Sequence, residues 1–230
     1  MNTIIEWLNT PAFTLFNAPT TWAEVLGFIT GALCVYLVAK ANIFNWPIGI
    51  ANNVLWIVLF MSAGLYADSG LQIVYIILAI WGWITWATRD ENSYVRPITR
   101  TAPKQWVALA AAGILATIVM YLFLEHLTNS TVPLWDSITT VISLLATWGQ
   151  IYKKIESWVL WILVDIIYVP LYIYKGLTLT AILYVGFGLL CVYGLIEWRR
   201  ILHAQRNSIP VNPVDSTVST ITLTPAEDLS

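Results

Sequence analysis

The sequence repeats itself at an offset of 112 residues, so that residues 46–86 align on residues 158–198 without a gap. The chain is 58% hydrophobic and only 10% charged, whereas a soluble domain is about a quarter charged. A repeat of such apolar segments is typical of duplicated membrane helix bundles, which hold a polar site between the copies and commonly serve in transport. The matched pairs include Trp46 and Trp158, Asn53 and Asp165, Gln72 and Tyr184, Gly82 and Gly194, and Trp86 and Trp198.

Seven segments are long and apolar enough to cross a bilayer, which requires about 20 residues each. Residues 1–20 are too short to span, and we expect them to form an interfacial segment. Residues 201–230 are polar and rich in Ser, Thr and Pro, which predicts a disordered cytoplasmic tail. The predicted spans are 22–40, 47–65, 70–88, 105–125, 134–152, 157–175 and 178–198.

The distribution of cations predicts the orientation of the spans. Ten of the eleven Lys and Arg residues fall at one end of the predicted spans, and only Lys175 falls at the other. Because Lys and Arg are enriched in cytoplasmic loops, this bias predicts an outer N-terminus and a cytoplasmic C-terminus.

The spans predict an all-α integral membrane fold in a 3+1+3 arrangement. Residues 21–90 form the first three-helix repeat and residues 131–200 the second, with a loop and a linker helix in residues 91–130. Three spans reverse the chain direction, and the unpaired fourth span reverses it again. The copies therefore run parallel, related by a pseudo-two-fold axis along the membrane normal. This plan resembles the SWEET-type transporter architecture.

Polar and aromatic side chains recur every three or four residues along several spans, so each set shares a helix face. Ser, Thr and Gly also line ordinary helix contacts in membranes, so helix packing is the alternative interpretation. Asp165 argues against that alternative most strongly, because a carboxylate within a span is costly and usually functional. The candidate substrate-binding residues are Asn53, Trp56, Gln72, Tyr75, Thr140, Ser143, Trp161, Asp165, Tyr168 and Tyr184.

Other residues receive structural interpretations. Cys34 and Cys191 are expected to be packing residues, and the Gly27-x-x-x-Gly31 spacing predicts a close helix contact. Glu24 is either a rim charge or a helix-start residue. Five tryptophans at span ends are predicted to form interfacial belts, namely Trp22, Trp86, Trp106, Trp135 and Trp198.

No catalytic, cofactor or metal constellation is visible in the sequence. The two histidines, His126 and His203, lie at a span end and in the tail, and no phosphate-binding P-loop is present. The net charge of −2 gives no indication of a nucleic-acid partner. The sequence therefore predicts a protein that is not an enzyme.

The motifs resemble the PnuC family of bacterial vitamin-precursor transporters. The resemblance covers roughly residues 20–200 and departs from the family where relatives carry Asn in place of Asp165. It implies import of nicotinamide riboside, a form of vitamin B3 used in NAD biosynthesis, across the inner membrane by facilitated diffusion. It also implies a homotrimer and trapping of the substrate by a cytoplasmic nicotinamide riboside kinase. The resembling residues are Trp22, Glu24, Gly27, Asn45–Gly49, Asn52, Leu65–Ala67, Gln72, Gly82, Trp83, Trp86, Trp135–Ser137, Trp158, Trp161, Asp165, Gly176, Tyr184 and Trp198.

The chemistry of the candidate residues agrees with a flat cation as substrate. Trp and Tyr rings suit stacking on a pyridinium, Asn and Gln amides match a carboxamide, and Asp165 can balance the positive charge. The membrane spans 47–65, 70–88, 157–175 and 178–198 offer no cation for a phosphate beyond the terminal Lys175, which argues against a mononucleotide as substrate. A SWEET-type sugar transporter and a non-transporting membrane scaffold or sensor subunit remain the alternatives.

Overall fold

The computed structural model describes residues 2–15, 18–62, 66–88, 96–128, 131–174 and 178–207. Over these residues the chain is helical apart from one short hairpin and the connecting turns. The elements are α1 (Asn2–Leu8), β1 (Pro11–Leu15), β2 (Ala18–Thr21), α2 (Trp22–Ala39), α3 (Asn45–Ser62), α4 (Tyr66–Ala87), α5 (Pro103–Leu127), α6 (Pro133–Ile151), α7 (Ser157–Tyr174) and α8 (Thr178–Asn207).

The N-terminal segment folds into α1 and an antiparallel β1–β2 hairpin, which the all-α prediction did not include. The Trp7 ring stacks on Trp22, with centroids 5.6 Å apart. Thr21 starts α2 with a capping box. Its hydroxyl accepts from the Glu24 amide at 3.3 Å, and the Glu24 carboxylate accepts from the Thr21 amide at 2.7 Å. Glu24 is thus confirmed as a helix-start residue, since it satisfies an amide that has no partner within the helix.

The sequence repeat is also a repeat of backbone conformation. Helix α3 spans Asn45–Ser62 and α7 spans Ser157–Tyr174, so both ends differ by the same 112 residues. The turn that precedes each helix contains a residue with positive φ, Ala41 at 50° and Lys153 at 49°, again at the same offset. The two copies therefore share their helix limits and their turn geometry.

Six helices form a closed ring in which each packs against two others. Within the first copy α2 packs on α3 and α3 on α4, and within the second α6 packs on α7 and α7 on α8. Contacts of α2 with α8 and of α4 with α6 join the copies, while α5 lies outside the ring against α6. The interior of the ring is lined by both copies.

The two seams between the copies are equivalent. Trp86 on α4 donates its indole N–H to the carbonyl of Ile151 at 3.0 Å, and Trp198 on α8 donates to the carbonyl of Val38 at 3.0 Å. Trp198 is fully buried and Trp86 is 7% exposed. The prediction that Trp86 and Trp198 belong to an interfacial belt is therefore wrong, because both indoles satisfy carbonyl groups at the end of a helix from the other copy.

Each seam tryptophan is positioned by a second tryptophan and a glycine of its own copy. Trp46 meets Trp86 edge to face at 5.3 Å, and Trp158 meets Trp198 in the same way at 5.5 Å. The Trp46 ring lies directly against Gly82, and the Trp158 ring lies against Gly194. A side chain at either glycine would overlap an indole, which explains why both copies have glycine at this place.

Five helices in the described part of the chain are long and apolar enough to cross a membrane: α2, α4, α5, α7 and α8. Helices α3 and α6, which carry several polar residues, are not among them, so the count of seven spans stays a prediction. Helix α8 continues to Asn207. Residues 201–207 are therefore helical rather than part of a disordered tail, and residues 208–230 lie outside the described residues.

Candidate functional site

Four aromatic side chains of α7 and α8 form a continuous cluster. The Tyr184 ring lies 4.9 Å from Tyr168, 5.0 Å from Tyr172 and 5.9 Å from Phe187, measured between centroids. Tyr168 and Tyr172 are 5.4 Å apart. The spacing of four residues along α7 places these two rings on one face, and Tyr184 closes the cluster from α8. Tyr168 and Tyr184, both predicted site residues, therefore lie together.

Helices α4 and α6 contribute polar groups to the same region. The Tyr168 hydroxyl lies within hydrogen-bonding reach of Thr139 on α6. The Tyr75 hydroxyl of α4 lies within reach of Ser143 on α6, whose side chain is only 3% exposed. Tyr75, Ser143 and Tyr168 were predicted from their spacing, whereas Thr139 was not, because its neighbour Thr140 fitted the predicted face of α6.

Asp165 contributes a buried carboxyl group to this region. Asp165 is 6% exposed and faces α8. Its Cβ would lie 3.6 Å from a Cβ atom added to Gly188, and its carboxyl group is within hydrogen-bonding reach of the Cys191 thiol. Its Oδ2 atom has no hydrogen-bond partner among the described residues, and the same is true of the Trp161 indole N–H one turn earlier on α7. An unpaired buried acceptor and an unpaired buried donor on adjacent turns are costly unless a ligand pairs with them.

The cysteines have the packing role expected of them. Both Cys34 and Cys191 are free thiols. Cys34 donates to the Asn45 carbonyl at 3.3 Å and lies close to Gly49, so it joins α2 to α3.

The first copy contacts the cluster at Gly31 on α2. A Cβ atom added to this glycine would lie 3.4 Å from the Phe187 ring and 3.5 Å from the Asn52 amide nitrogen. Asn52 donates to the Thr30 hydroxyl at 2.9 Å and to the Gly27 carbonyl. The sequence pattern singled out Asn53, which lies half-buried on α3. Adjacent residues of a helix point about 100° apart, so the pattern alone did not show which amide binds α2.

Trp56 lies at the contact between α2 and α3 rather than beside the tyrosines. Its ring is 3.3 Å from the place of a Gly27 side chain, stacks on Phe60 at 5.5 Å and meets Phe28 edge to face at 5.7 Å. The close contact predicted for Gly27 and Gly31 is confirmed, and the contacts of Trp56 are those of helix packing. Gln72 and Thr140, the remaining predicted site residues, are half-buried on α4 and α6.

A closed ring of apolar helices around buried hydroxyl groups, aromatic rings and the Asp165 carboxyl group defines a multi-pass membrane protein with an internal polar site. Comparison with known families identifies the class more closely. The family described as nicotinamide mononucleotide transporter matches residues 21–200. This chain belongs to that family of membrane transporters.

Several relatives align over most of their length. The riboflavin/roseoflavin transporter RibM of Streptomyces davaonensis is 29% identical, over 90% of this chain and 97% of that protein. The nicotinamide riboside transporter PnuC of Neisseria mucosa is 30% identical, over 82% of this chain and 75% of that protein. The PnuC of Escherichia coli is 25% identical, over 77% of this chain and 85% of that protein.

The fold is similar to that of a solved relative. The crystal structure of the vitamin B3 transporter PnuC superposes with a TM-score of 0.66 at 27% sequence identity, and the match covers 80% of this chain and 83% of that chain. The predicted PnuC resemblance is thus confirmed at the level of family and fold, as is the assignment to a membrane transporter.

Proposed function

We propose that this protein imports nicotinamide riboside through the interior of the six-helix ring. The observation that carries the proposal is the unpaired Asp165 Oδ2 atom, buried beside the unpaired Trp161 indole N–H and the tyrosine cluster. A pyridinium cation stacked among these rings would be balanced by the carboxylate, and a ribose hydroxyl would pair with Oδ2. The PnuC relatives support the substrate class.

The remaining predicted residues would complete this site. Tyr75, Ser143, Tyr168 and Tyr184 would surround the substrate, while Asn53 and Gln72 would hold the carboxamide, because an amide both donates and accepts hydrogen bonds. Trp56 would contribute indirectly, by fixing α3 against α2.

A phosphorylated substrate fits this interior less well. Residues 46–88 and 176–198 contain no Lys or Arg, and neither does α7. A phosphate there would lack the cation that usually binds it. The proposal therefore assigns nicotinamide riboside, and not the mononucleotide in the family's description, to this chain.

The proposed transport mode is facilitated diffusion across the bacterial inner membrane. The 3+1+3 parallel repeat would rock one three-helix bundle against the other about the two tryptophan seams, with the N-terminus outside and the C-terminus in the cytoplasm. Phosphorylation by a cytoplasmic nicotinamide riboside kinase would trap the substrate and make uptake directional. A homotrimer with one pathway in each protomer completes this scheme.

Riboflavin is the second candidate substrate. RibM aligns over nearly its whole length, and a cluster of tyrosine rings would also stack on a flat uncharged ring system. The buried carboxylate distinguishes the two candidates, because only a cationic ligand compensates a desolvated negative charge.

Equilibrium binding to the purified protein in detergent tests the proposal. Nicotinamide riboside, nicotinamide mononucleotide and riboflavin are titrated in parallel, each against the same protein preparation. The proposal expects saturable binding of the riboside, with the mononucleotide and riboflavin weaker by at least roughly tenfold, which corresponds to about 1.4 kcal/mol. Tighter binding of riboflavin would assign the chain to the RibM substrate class instead.

A further inference from the structure

A pocket at the cation-rich end of the bundle lies outside the ring interior. Residues 96–102 run along the turn between α6 and α7, where Thr99 exchanges backbone hydrogen bonds of 3.0 Å with Lys153 and Ile155. The amide and hydroxyl of Thr101 both donate to the Glu156 carboxylate at 2.9 Å. These bonds fix one wall of a cavity of about 440 Å³, lined among others by Arg96, Thr99, Gln105, Trp148, Tyr152 and Lys154.

The pocket is positively charged. The Arg96 guanidinium lies 5.6 Å from the Tyr152 ring centroid, and Lys154 donates to the Thr99 hydroxyl at 3.0 Å. Among the described residues that line the cavity are these two cations and no carboxylate. Glu156, the nearest acid on the turn, already accepts two hydrogen bonds from Thr101. The pocket thus offers cations and an aromatic wall to an anion.

An apolar groove of about 380 Å³ continues from the pocket along α5 and α6. Leu109 in the groove lies one helical turn from Gln105 in the pocket, and Leu145 lies three residues from Trp148. The pocket and the groove therefore lie along the same contact between α5 and α6. The floor of the groove is Gly113, which brings α5 close to Leu145.

We propose that pocket and groove together bind one anionic phospholipid, with the phosphate on Arg96 and Lys154 and an acyl chain in the groove. Charge complementarity selects the headgroup, and the adjoining apolar groove selects an amphiphile over a soluble anion. A second copy of this chain could cover the groove, but it would leave the two cations of the pocket without an anion. This site is separate from the proposed substrate site.

Lipid titration of the delipidated protein in detergent, with bound lipids counted by native mass spectrometry, tests the site. Phosphatidylglycerol is expected to bind about fivefold more tightly than phosphatidylcholine for each engaged cation, since one Lys or Arg near an anionic headgroup contributes about 1 kcal/mol. Arg96→Gln should reduce that preference, whereas Arg206→Gln, at a cation of α8 outside the pocket, should keep it.

Two further measurements distinguish a bound lipid from a soluble anion and from a second copy of this chain. Ala110→Phe places a ring in the groove and should weaken both lipids without changing the preference between them. Glycerol 3-phosphate should bind far more weakly than phosphatidylglycerol. Equal affinity for the two lipids, an unaffected Ala110→Phe variant, glycerol 3-phosphate binding as tight as the lipid, or lipid binding only after an oligomer dissociates would each overturn the proposal.

Discussion

At the scale of single residues, the Asp165 carboxylate is closed off by Gly188 and Cys191 on one side while its Oδ2 atom lacks a partner in the described part of the chain. The corresponding residue of the first copy is the neutral Asn53. Of the two equivalent positions, only Asp165 can carry a charge. It lies in the copy that also supplies the tyrosine cluster.

The substitution Asp165→Asn removes this charge while keeping the shape and hydrogen-bonding capacity of the side chain. Loss of one partner from a buried charge pair costs about 2–5 kcal/mol, so binding of nicotinamide riboside should weaken by roughly 30-fold or more. A neutral dihydro analogue of the riboside should lose much less affinity, which calorimetric titration of both ligands measures. Equal losses for the two ligands would mean that Asp165 acts through hydrogen bonds alone.

The neighbours Asn52 and Asn53 provide a second test at this scale. Asn52→Ala removes the hydrogen bonds from α3 to Gly27 and Thr30 and should destabilise the fold by about 0.6–1.5 kcal/mol, seen as a lower melting temperature in detergent. Asn53→Ala should leave the melting temperature unchanged and weaken riboside binding. The assignment of the two roles is contradicted if the effects are exchanged.

At the scale of helices and turns, the length of the apolar segments predicted the limits of α2, α6 and α7 to within one residue. The hairpin of β1 and β2 was not predicted, because residues 1–20 were expected to form an interfacial segment. The end of α8 was placed too early because span prediction follows the thickness of the bilayer, whereas the helix continues to Asn207.

The candidate site was predictable only in part, because helical spacing shows which residues share a face of one helix and does not show their partners on other helices. Helical spacing selected Tyr75, Ser143, Tyr168 and Tyr184 on four separate helices, and the structure brings Tyr168 beside Tyr184 and Tyr75 within reach of Ser143. It could not show that the Trp198 indole is buried at a seam, because its partner is a backbone carbonyl 160 residues earlier in the chain. Such long-range partners leave no periodic signal in the sequence.

The tryptophan seams predict a large effect of small changes at one glycine. In Gly194→Ala the new methyl group would overlap the Trp158 ring, and overpacking of this kind costs about 1–3 kcal/mol. Gly186→Ala is the matched control on the same helix, because nothing lies within 4 Å of its added Cβ. Thermal unfolding in detergent should separate the two variants clearly, and similar melting temperatures would contradict the rigid seam.

The turn between α6 and α7 predicts a dependence of stability on pH. Burial, and then the positive charge of Arg96, lower the pKa of Lys153 from 10.5 to about 8. A cation whose pKa is lowered on folding destabilises the fold while it is protonated in both states. The free energy of unfolding is therefore lowered by the full amount below pH 8, and it recovers as the pH rises toward 10.5.

Lys153→Met isolates this contribution, because the variant lacks the titrating group and the other cations remain. The melting temperature of the wild-type protein should rise relative to that of the variant as the pH increases from about 8 to 10.5. A constant difference between the two proteins would show that the contact of the Lys153 ammonium with the Trp86 ring, at 4.3 Å, compensates for its burial.

At the scale of the whole molecule, two equivalent three-helix units are joined by two equivalent tryptophan seams. Neither unit alone contains the complete proposed site, since Tyr75 comes from the first copy and Ser143 and Tyr168 from the second. Helix α5, which has no counterpart in the repeat, lies outside the ring against α6. The central proposal is that nicotinamide riboside crosses the membrane through this ring without an ion gradient.

Counterflow in proteoliposomes tests that central claim most directly. Vesicles loaded with unlabelled nicotinamide riboside should take up the labelled riboside transiently with no ion gradient imposed, and external nicotinamide mononucleotide should not compete. Uptake that requires a proton or sodium gradient, or competition by the mononucleotide at the same concentration as the riboside, would contradict an uncoupled pathway selective for the unphosphorylated cation.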